Sequence, residues 1–297
     1  MRISDTMLSR TYLSNVNKSK ERIGDLSTQI STGSKINKPS DSPTGAAKML
    51  RIDSSLNSSD AYMNNIQEGL ASLAETNNAL ESILSEVQSV RDILTEIQNP
   101  VNSANLDSYA EKIDLMLSSI LNSANQEYDG KYLFGGTDYS DVPYGYNAAE
   151  TAIELKVADV SGEHKIKIAK NINQQINVTG EELFGAIGAG DIFNTLIQIS
   201  NDLKNGNMPS SADTQAVEDF HGTLLDKISG AGTITNRLTD AEELLNNRVL
   251  SLKELLSDET EVDVVEAMVD LEMQDYLLQL AYKTSSMILP KSLLDYI

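Results

Sequence analysis

The stretch "STGSKINKPSDSPTGAAKML", Ser31–Leu50, separates two strongly helical patterns with two prolines, two glycines and a run of small polar residues. Upstream of it, Leu13, Val16, Ile23, Leu26 and Ile30 recur at steps of three, four or seven, which places them on one face of a helix. Ser31, Thr32 and Gly33 supply the stop, with Gly33 suited to the left-handed position that follows a helix. Pro39 and Pro43 bar continuation through the stretch. Pro43 fits the first position of a new helix, with Ser42 as its N-cap.

Downstream, alternating steps of three and four from Met49 give Met49, Ile52, Leu56, Ser59, Met63, Ile66, Leu70, Leu73, Asn77, Leu80, Leu84, Val87, Arg91 and Leu94. This is a heptad seam running nearly to Pro100, and it predicts a rod of about 70 Å. Asn77 reads as a register-setting polar residue in that seam. A third helix is expected over about Leu106–Tyr128, with Tyr109, Ile113, Met116, Ile120 and Ala124 on one side.

The texture then changes. Glycine and tyrosine cluster in "DGKYLFGGTDYSDVPYGY", and period-two runs at Ile153–Val157, Lys165–Ile168 and Ile176–Val178 predict short strands. Helical pattern returns with "DIFNTLIQISNDLKN" from Asp191, stops around Gly206 and Pro209, and resumes near Ala212. A further long helix is expected after Gly232, carrying Leu238, Leu245, Leu252 and Leu255. The final segment carries Val264, Met268, Leu271, Leu278, Tyr282 and Leu289. The fold class is therefore mainly α: an elongated, discontinuous helical bundle or coiled coil built from both ends of the chain, with a small β-rich domain inserted in the middle.

Composition supports a narrow bundle. The 297 residues include 4 Phe, 11 Tyr and no Trp. The net charge of -21 argues against non-specific nucleic-acid binding and against anionic membrane surfaces. Charge is uneven: residues 1–50 hold 8 Lys/Arg against 4 Asp/Glu, and residues 253–297 hold 3 against 10, so the two ends attract. No cysteine is present, which removes disulfides, thiolate catalysis and Cys-ligated zinc. The N-terminus lacks the apolar core of a Sec-type signal, and no stretch reaches the length of a membrane span. Those rules alone place the chain in the cytoplasm unless it leaves by a route without a cleaved signal.

No residue pattern carries catalytic, cofactor or metal chemistry. His164 and His221 are the two histidines, and neither has a metal-ligand spacing. "GSK" at Gly33 lacks the upstream glycine of a phosphate loop, and "GAIGAG" at Gly185–Gly190 has the wrong order for a dinucleotide site. The acidic run Ser257–Asp275 lacks the order of a calcium loop and reads as a solvated helix face. A structural or interaction protein is expected, not an enzyme. The amphipathic ends fit two arrangements equally: pairing with each other within one chain, and ordering against neighbouring copies.

Several separated pieces then carry a family likeness. "MRISD", "QISTGSKINKPSDSPTGAAKML" (Gln29–Leu50), "DGKYLFGGT" (Asp129–Thr137), "ITNRLTDAEELLNNRVLSLKELLS" (Ile234–Ser257) and the closing "LLDYI" resemble the flagellar hook-associated protein 3 family, within the flagellin superfamily. Flagellins are similar in the first helix but typically read "RINSAKDDAAG" where this chain has "KINKPSDSPTG" (Lys35–Gly45). The resemblance implies a structural component at the junction of hook and filament, with hook-associated protein 1, flagellin and a ring of its own copies as partners. It also implies export through the flagellar type III apparatus, an escort chaperone on the C-terminal helices, and an extracellular place in the flagellum without a cleaved signal. No cofactor is implied. The expected division is 1–40 with 262–297 as a terminal helical region, 41–132 with 192–261 as a helical rod, and 133–191 as a β-rich insert. Leu13, Val16, Ile23, Leu26, Ile30, Leu277, Leu280, Ile288, Leu293 and Leu294 are the candidate polymer-facing contacts. A flagellin-type filament subunit and a secreted helical adhesin or effector are the alternatives.

Overall fold

The computed structural model describes residues 5–99, 105–188 and 191–288. It is mainly helical, with long helices from both ends of the chain and small antiparallel strand pairs between them. The elements are α1 (Asp5–Thr32), α2 (Pro43–Glu96), α3 (Leu106–Ala124), β1 (Glu127–Tyr128), β2 (Lys131–Tyr132), β3 (Tyr144–Tyr146), β4 (Ile153–Leu155), β5 (Lys165–Ala169), β6 (Ile172–Gln175), α4 (Gly180–Phe184), α5 (Ile192–Lys204), α6 (Ser211–Thr260) and α7 (Val264–Ile288).

The break between α1 and α2 forms as its residues dictate. Gly33 takes φ 71°, and its N–H closes the helix on the Gln29 carbonyl at 2.8 Å. Ser42 Oγ accepts from the Gly45 N–H at 3.1 Å, capping α2 one residue before Pro43. Between them Asp41 accepts from the N–H groups of Lys38 and Asn37, at 2.8 and 3.0 Å. Those two backbone donors hold its carboxyl below the usual carboxylate range.

Packing divides the chain into two units, residues 1–58 with 247–297 and residues 59–246. In the first, α1 and α7 run antiparallel: Tyr12 donates its hydroxyl proton to the Ala281 carbonyl at 2.6 Å, and Arg22 lies 4.0 Å from Asp270. The connectors that follow α1 and α6 pair as a single β-bridge, Ser34 with Glu261. Lys35 N–H donates to the Thr260 carbonyl at 2.7 Å and Val262 N–H to the Gly33 carbonyl at 3.0 Å.

In the second unit α2 and α6 are antiparallel, tied by Arg91 to Glu218 at 2.8 Å and by Gln67 to Glu242 at 3.2 Å. Helices α3 and α5 pack on each other, and Ser200 donates to Asp114 at 2.5 Å across that contact. All four phenylalanines of the protein, Phe134, Phe184, Phe193 and Phe220, gather with Tyr144 in one buried cluster, with ring centroids 4.8–6.0 Å apart. The β5–β6 hairpin lies over α2 and α6, where Ile166, Ile168 and Ile176 share a core with Ile66, Leu73 and Leu238. Gly69 permits this approach, because a Cβ there would stand 2.7 Å from Ile166 Cδ1.

The structure differs from the sequence expectations in four places. Along α2, every second residue of the heptad seam, from Ile52 to Leu94, is buried, but its alternates Asn77, Leu84 and Arg91 are only half-buried; Thr76, Ile83, Val90 and Ile97 take the buried positions. A straight helix falls behind a strict heptad by about 20° per repeat, so over the four to five repeats from Met49 to Asn77 and Leu84 the buried stripe slides by about one residue step. Asn77 therefore flanks the seam. Helix α3 ends at Ala124, short of Tyr128, because the chain turns into β1. The strands form three separate two-stranded pairs, of which β1–β2 precedes residue 133, and Ile176 and Val178 are buried outside any strand. The long helix expected after Gly232 is continuous with the one before it as α6: glycine in a helix costs about 1 kcal/mol relative to alanine, less than the packing of Val217, Phe220, Leu224, Ala231 and Leu238 returns.

Candidate assembly surface

Helix α7 turns Ala267, Leu271, Leu278 and Ala281 inward, where they are buried or half-buried against α1. On α1 the facing stripe is Tyr12, Val16, Ile23, Leu26 and Ile30. Val264, Met268 and Tyr282, apolar positions of the same final segment, are exposed. Around the helix axis, Val265, Val269, Met273, Tyr276 and Leu280 fall on the side opposite Ala267 and Leu271, with Met268 and Leu277 on its two flanks, and all are exposed, Val265 to 74% and Tyr276 to 61%. A helix that is apolar on all sides is one whose stable state is covered on all sides, and α1 covers only one of them. At about 25 cal/mol per Å² of apolar surface, such a stripe is a strong driving force for association.

The candidate contacts divide accordingly. Leu13, Leu277 and Leu280 stand exposed, and Ile23 and Ile30 are half-buried in the α1–α7 seam. Val16 and Leu26 are buried in that seam, at 7% and 2% exposure, so they are contacts within the chain and present nothing to a neighbour. The side chain of Ile288, and all of Leu293 and Leu294, lie outside the described residues. Val265, Val269, Met273 and Tyr276 were missing from the sequence-based set. Their signal was available: α7 carries apolar residues at all angles, which a single inward stripe does not need.

Among the described residues no group of three or more His, Asp or Glu side chains is placed to hold a metal ion. His221 Nε2 lies 3.3 Å from the Arg91 guanidinium, which also pairs with Glu218, in the α2–α6 contact. His164 immediately precedes β5, and its backbone N–H donates to Asn177 Oδ1 at 2.8 Å. Among the described residues no helix is long and apolar enough to cross a membrane.

Comparison with known proteins matches residues 3–138 to the bacterial flagellin N-terminal helical region. Flagellin of Salmonella berta is 26% identical over 200 residues, covering 63% of this chain and 39% of that protein. Flagellin of Salmonella paratyphi A is 24% identical over 219 residues, covering 73% and 43%. The chain thus spans about two fifths of the length of these flagellins. Among solved structures, a protein of Vibrio parahaemolyticus assigned as a flagellar hook-associated protein superimposes with a TM-score of 0.65 at 20% identity, over 74% of this chain and 100% of that one. Hook-associated protein 3 of Legionella pneumophila gives 0.62 at 13%, over 70% and 98%, and FlgL of Bacillus cereus 0.59 at 18%, over 70% and 99%. Residues 3–138 are thus similar to the flagellin N-terminal helical region, and the chain shares the fold of these hook-associated protein structures.

Proposed function

We propose that this chain is a non-enzymatic structural component of the bacterial flagellum and that it forms the junction between hook and filament. The observation that carries the reading is coverage: the hook-associated structures are matched along 98–100% of their own length, whereas the flagellins are matched along only about two fifths. The uncovered apolar side of α7 supports it, since a subunit of a ring or tube needs surfaces that are satisfied by neighbours of a different face. On this reading the partners are hook-associated protein 1 on one side, flagellin on the other, and copies of the chain itself. Export is by the flagellar type III system with a chaperone on the C-terminal helices, and the protein resides outside the cell. The polymer-facing residues are Leu13, Leu277 and Leu280 together with Val265, Val269, Met273 and Tyr276. The three-part division at about residues 40, 132, 191 and 261 is retained as the functional anatomy of this proposal.

Deletion of the gene, followed by electron microscopy of hooks and measurement of flagellin released to the medium, tests it. Bare hooks with shed flagellin are the expected result; normal filaments on the mutant would sink the reading. A filament-subunit reading has the flagellin sequence matches in its favour. Self-polymerisation of the purified chain into micrometre filaments would select it.

A further inference from the structure

The β3–β4 hairpin is bracketed by hydrogen bonds from Asn147 to Ala152 and from Lys156 to Pro143, at 2.8 and 2.9 Å. With the register Tyr144–Leu155 and Tyr146–Ile153, alternation in an antiparallel pair turns the main-chain groups of these four residues outward, away from the partner strand. Two of the four outward positions are closed by side-chain amides. Asn125 bonds both backbone groups of Tyr144. Asn194 does the same for Ile153, accepting from its N–H at 3.0 Å and donating to its C=O at 3.1 Å. On β4 the next outward position, Leu155, has no such partner among the described residues.

A groove of about 510 Å³ runs along this open stretch, with β4 as one wall and Asn194, Ile197, Gln198, Asn201 and Asp202 of α5 as the other. Leu155 and Ile197 are half-buried and give it an apolar lining. Its charged lining side chains are both carboxylates. Glu154 is held by Lys156 at 2.7 Å, while Asp202 has no ion-pair partner among the described residues. An unpaired strand edge facing a helix across an apolar trough is the geometry that accepts an extended peptide as an added strand.

We propose that this groove docks an extended segment of another polypeptide, alternating apolar with basic residues, which adds as a strand beside β4 at Leu155 and sets a Lys or Arg against Asp202. Charge selects that occupant: the groove carries carboxylates only. The chain's own stretch of this pattern, Lys165–Lys170, is already committed to β5 and its turn, so a second copy is not the natural donor. The proposal stands apart from the flagellar reading, because it depends only on the hairpin and α5.

The test is a titration of the full, isotope-labelled chain with acetyl-Lys-Val-Thr-Val-Lys-Val-amide, followed by NMR. A second peptide of the same sequence has alternate backbone amides N-methylated. The expected result is saturable shifts confined to Thr151–Leu155 and Ile197–Asp202, weakened about ten-fold or more by N-methylation, which removes the added-strand hydrogen bonds but keeps the charge. Asp202→Lys, an exchange near the groove's end, and separately Ile197→Arg, should each abolish the shifts with circular dichroism unchanged. Equal binding of both peptides would reduce the effect to surface charge and overturn the proposal, as would no saturable shift up to millimolar peptide. Self-association that Asp202→Lys abolishes would assign the groove to a second copy and overturn the choice of occupant.

Discussion

The side-chain amide of Asn125 closes on the main chain of Tyr144, accepting from its N–H at 3.0 Å and donating to its C=O at 2.8 Å. It stands where a third strand would stand, and Asn194 repeats the device on Ile153. Removing either amide strands two backbone groups of a buried residue. Asn125→Ala and Asn194→Ala should each cost about 1–3 kcal/mol, read as a lower midpoint in urea. Asn125→Asp keeps the acceptor and loses the donor, so it should fall between wild type and Asn125→Ala. An Asn125→Ala chain as stable as wild type would contradict the role given to this clamp.

Tyr144 itself carries a defect. Its hydroxyl is buried with no hydrogen-bond partner, and burial, with the Asp191 carboxylate as the smaller cause, pushes the phenol above its usual range. Tyr144→Phe should therefore be neutral or stabilise by about 1–2 kcal/mol. The unfolded chain loses this proton near pH 10 while the folded chain keeps it, so the group's contribution is complete below about pH 10 and is lost as pH rises above it. Alkaline unfolding curves of the Phe variant should be shallower than those of wild type above pH 10.

Gly222, Gly230 and Gly232 lie inside α6, and a Cβ added at any of them meets nothing within 4 Å. Alanine at each should raise stability by about 0.5–1 kcal/mol through helix propensity, measured as an increase in Tm. Gly180 is the contrasting case: a Cβ there would come within 2.5 Å of the Phe134 carbonyl oxygen and collide with the Tyr144 hydroxyl. Gly180→Ala should cost about 1–3 kcal/mol, and pairing it with Tyr144→Phe should recover only part of that cost.

Met273→Glu and Leu277→Glu place charge on the uncovered side of α7. Because both residues are exposed, monomer stability should change by no more than about 0.5 kcal/mol, while complementation of a deletion strain should fail. Restored assembly by these variants would remove that side of α7 from the interface.

The α1–α7 pair buries few side chains fully, Val16, Leu26 and Ala267 among them, whereas α3 and α5 bury most of one face. Hydrogen exchange of the isolated chain, read by mass spectrometry, should therefore show α1 and α7 opening well before α3 and α5. Limited proteolysis should trim both ends first. Equal protection throughout would mean that α1 and α7 hold each other as firmly as the core does.

The local signals were legible because they act over a few residues. Gly33, Ser42 and Pro43 set their break through backbone preference and capping, and Asp191 caps α5 by accepting from the Asn194 N–H at 3.0 Å. The seam of α2 was legible in kind but drifted in register, since 3.5-residue counting does not follow a straight 3.6-residue helix. In the candidate surface, Leu13, Leu277 and Leu280 are exposed while Val16 and Leu26 are buried, because periodicity marks an apolar face without saying which neighbour covers it. The Asn125 and Asn194 clamps had no sequence signal. Each joins a side chain to backbone 19 and 41 residues away, and an isolated Asn looks the same in a loop or at a helix start.

The bond from Tyr12 to the Ala281 carbonyl joins residues 269 positions apart. Every contact of α1 with α7 joins residues more than 230 positions apart, since α1 ends at Thr32 and α7 begins at Val264, so these pairings have a very high contact order. Its loop-closure entropy is spent before any of its contacts are gained. Helix α1, which leaves a ribosome or any pore that passes the chain N-terminus first well before α7, must wait for α7 before it can be packed, and during that wait it is open to capture by whatever binds it.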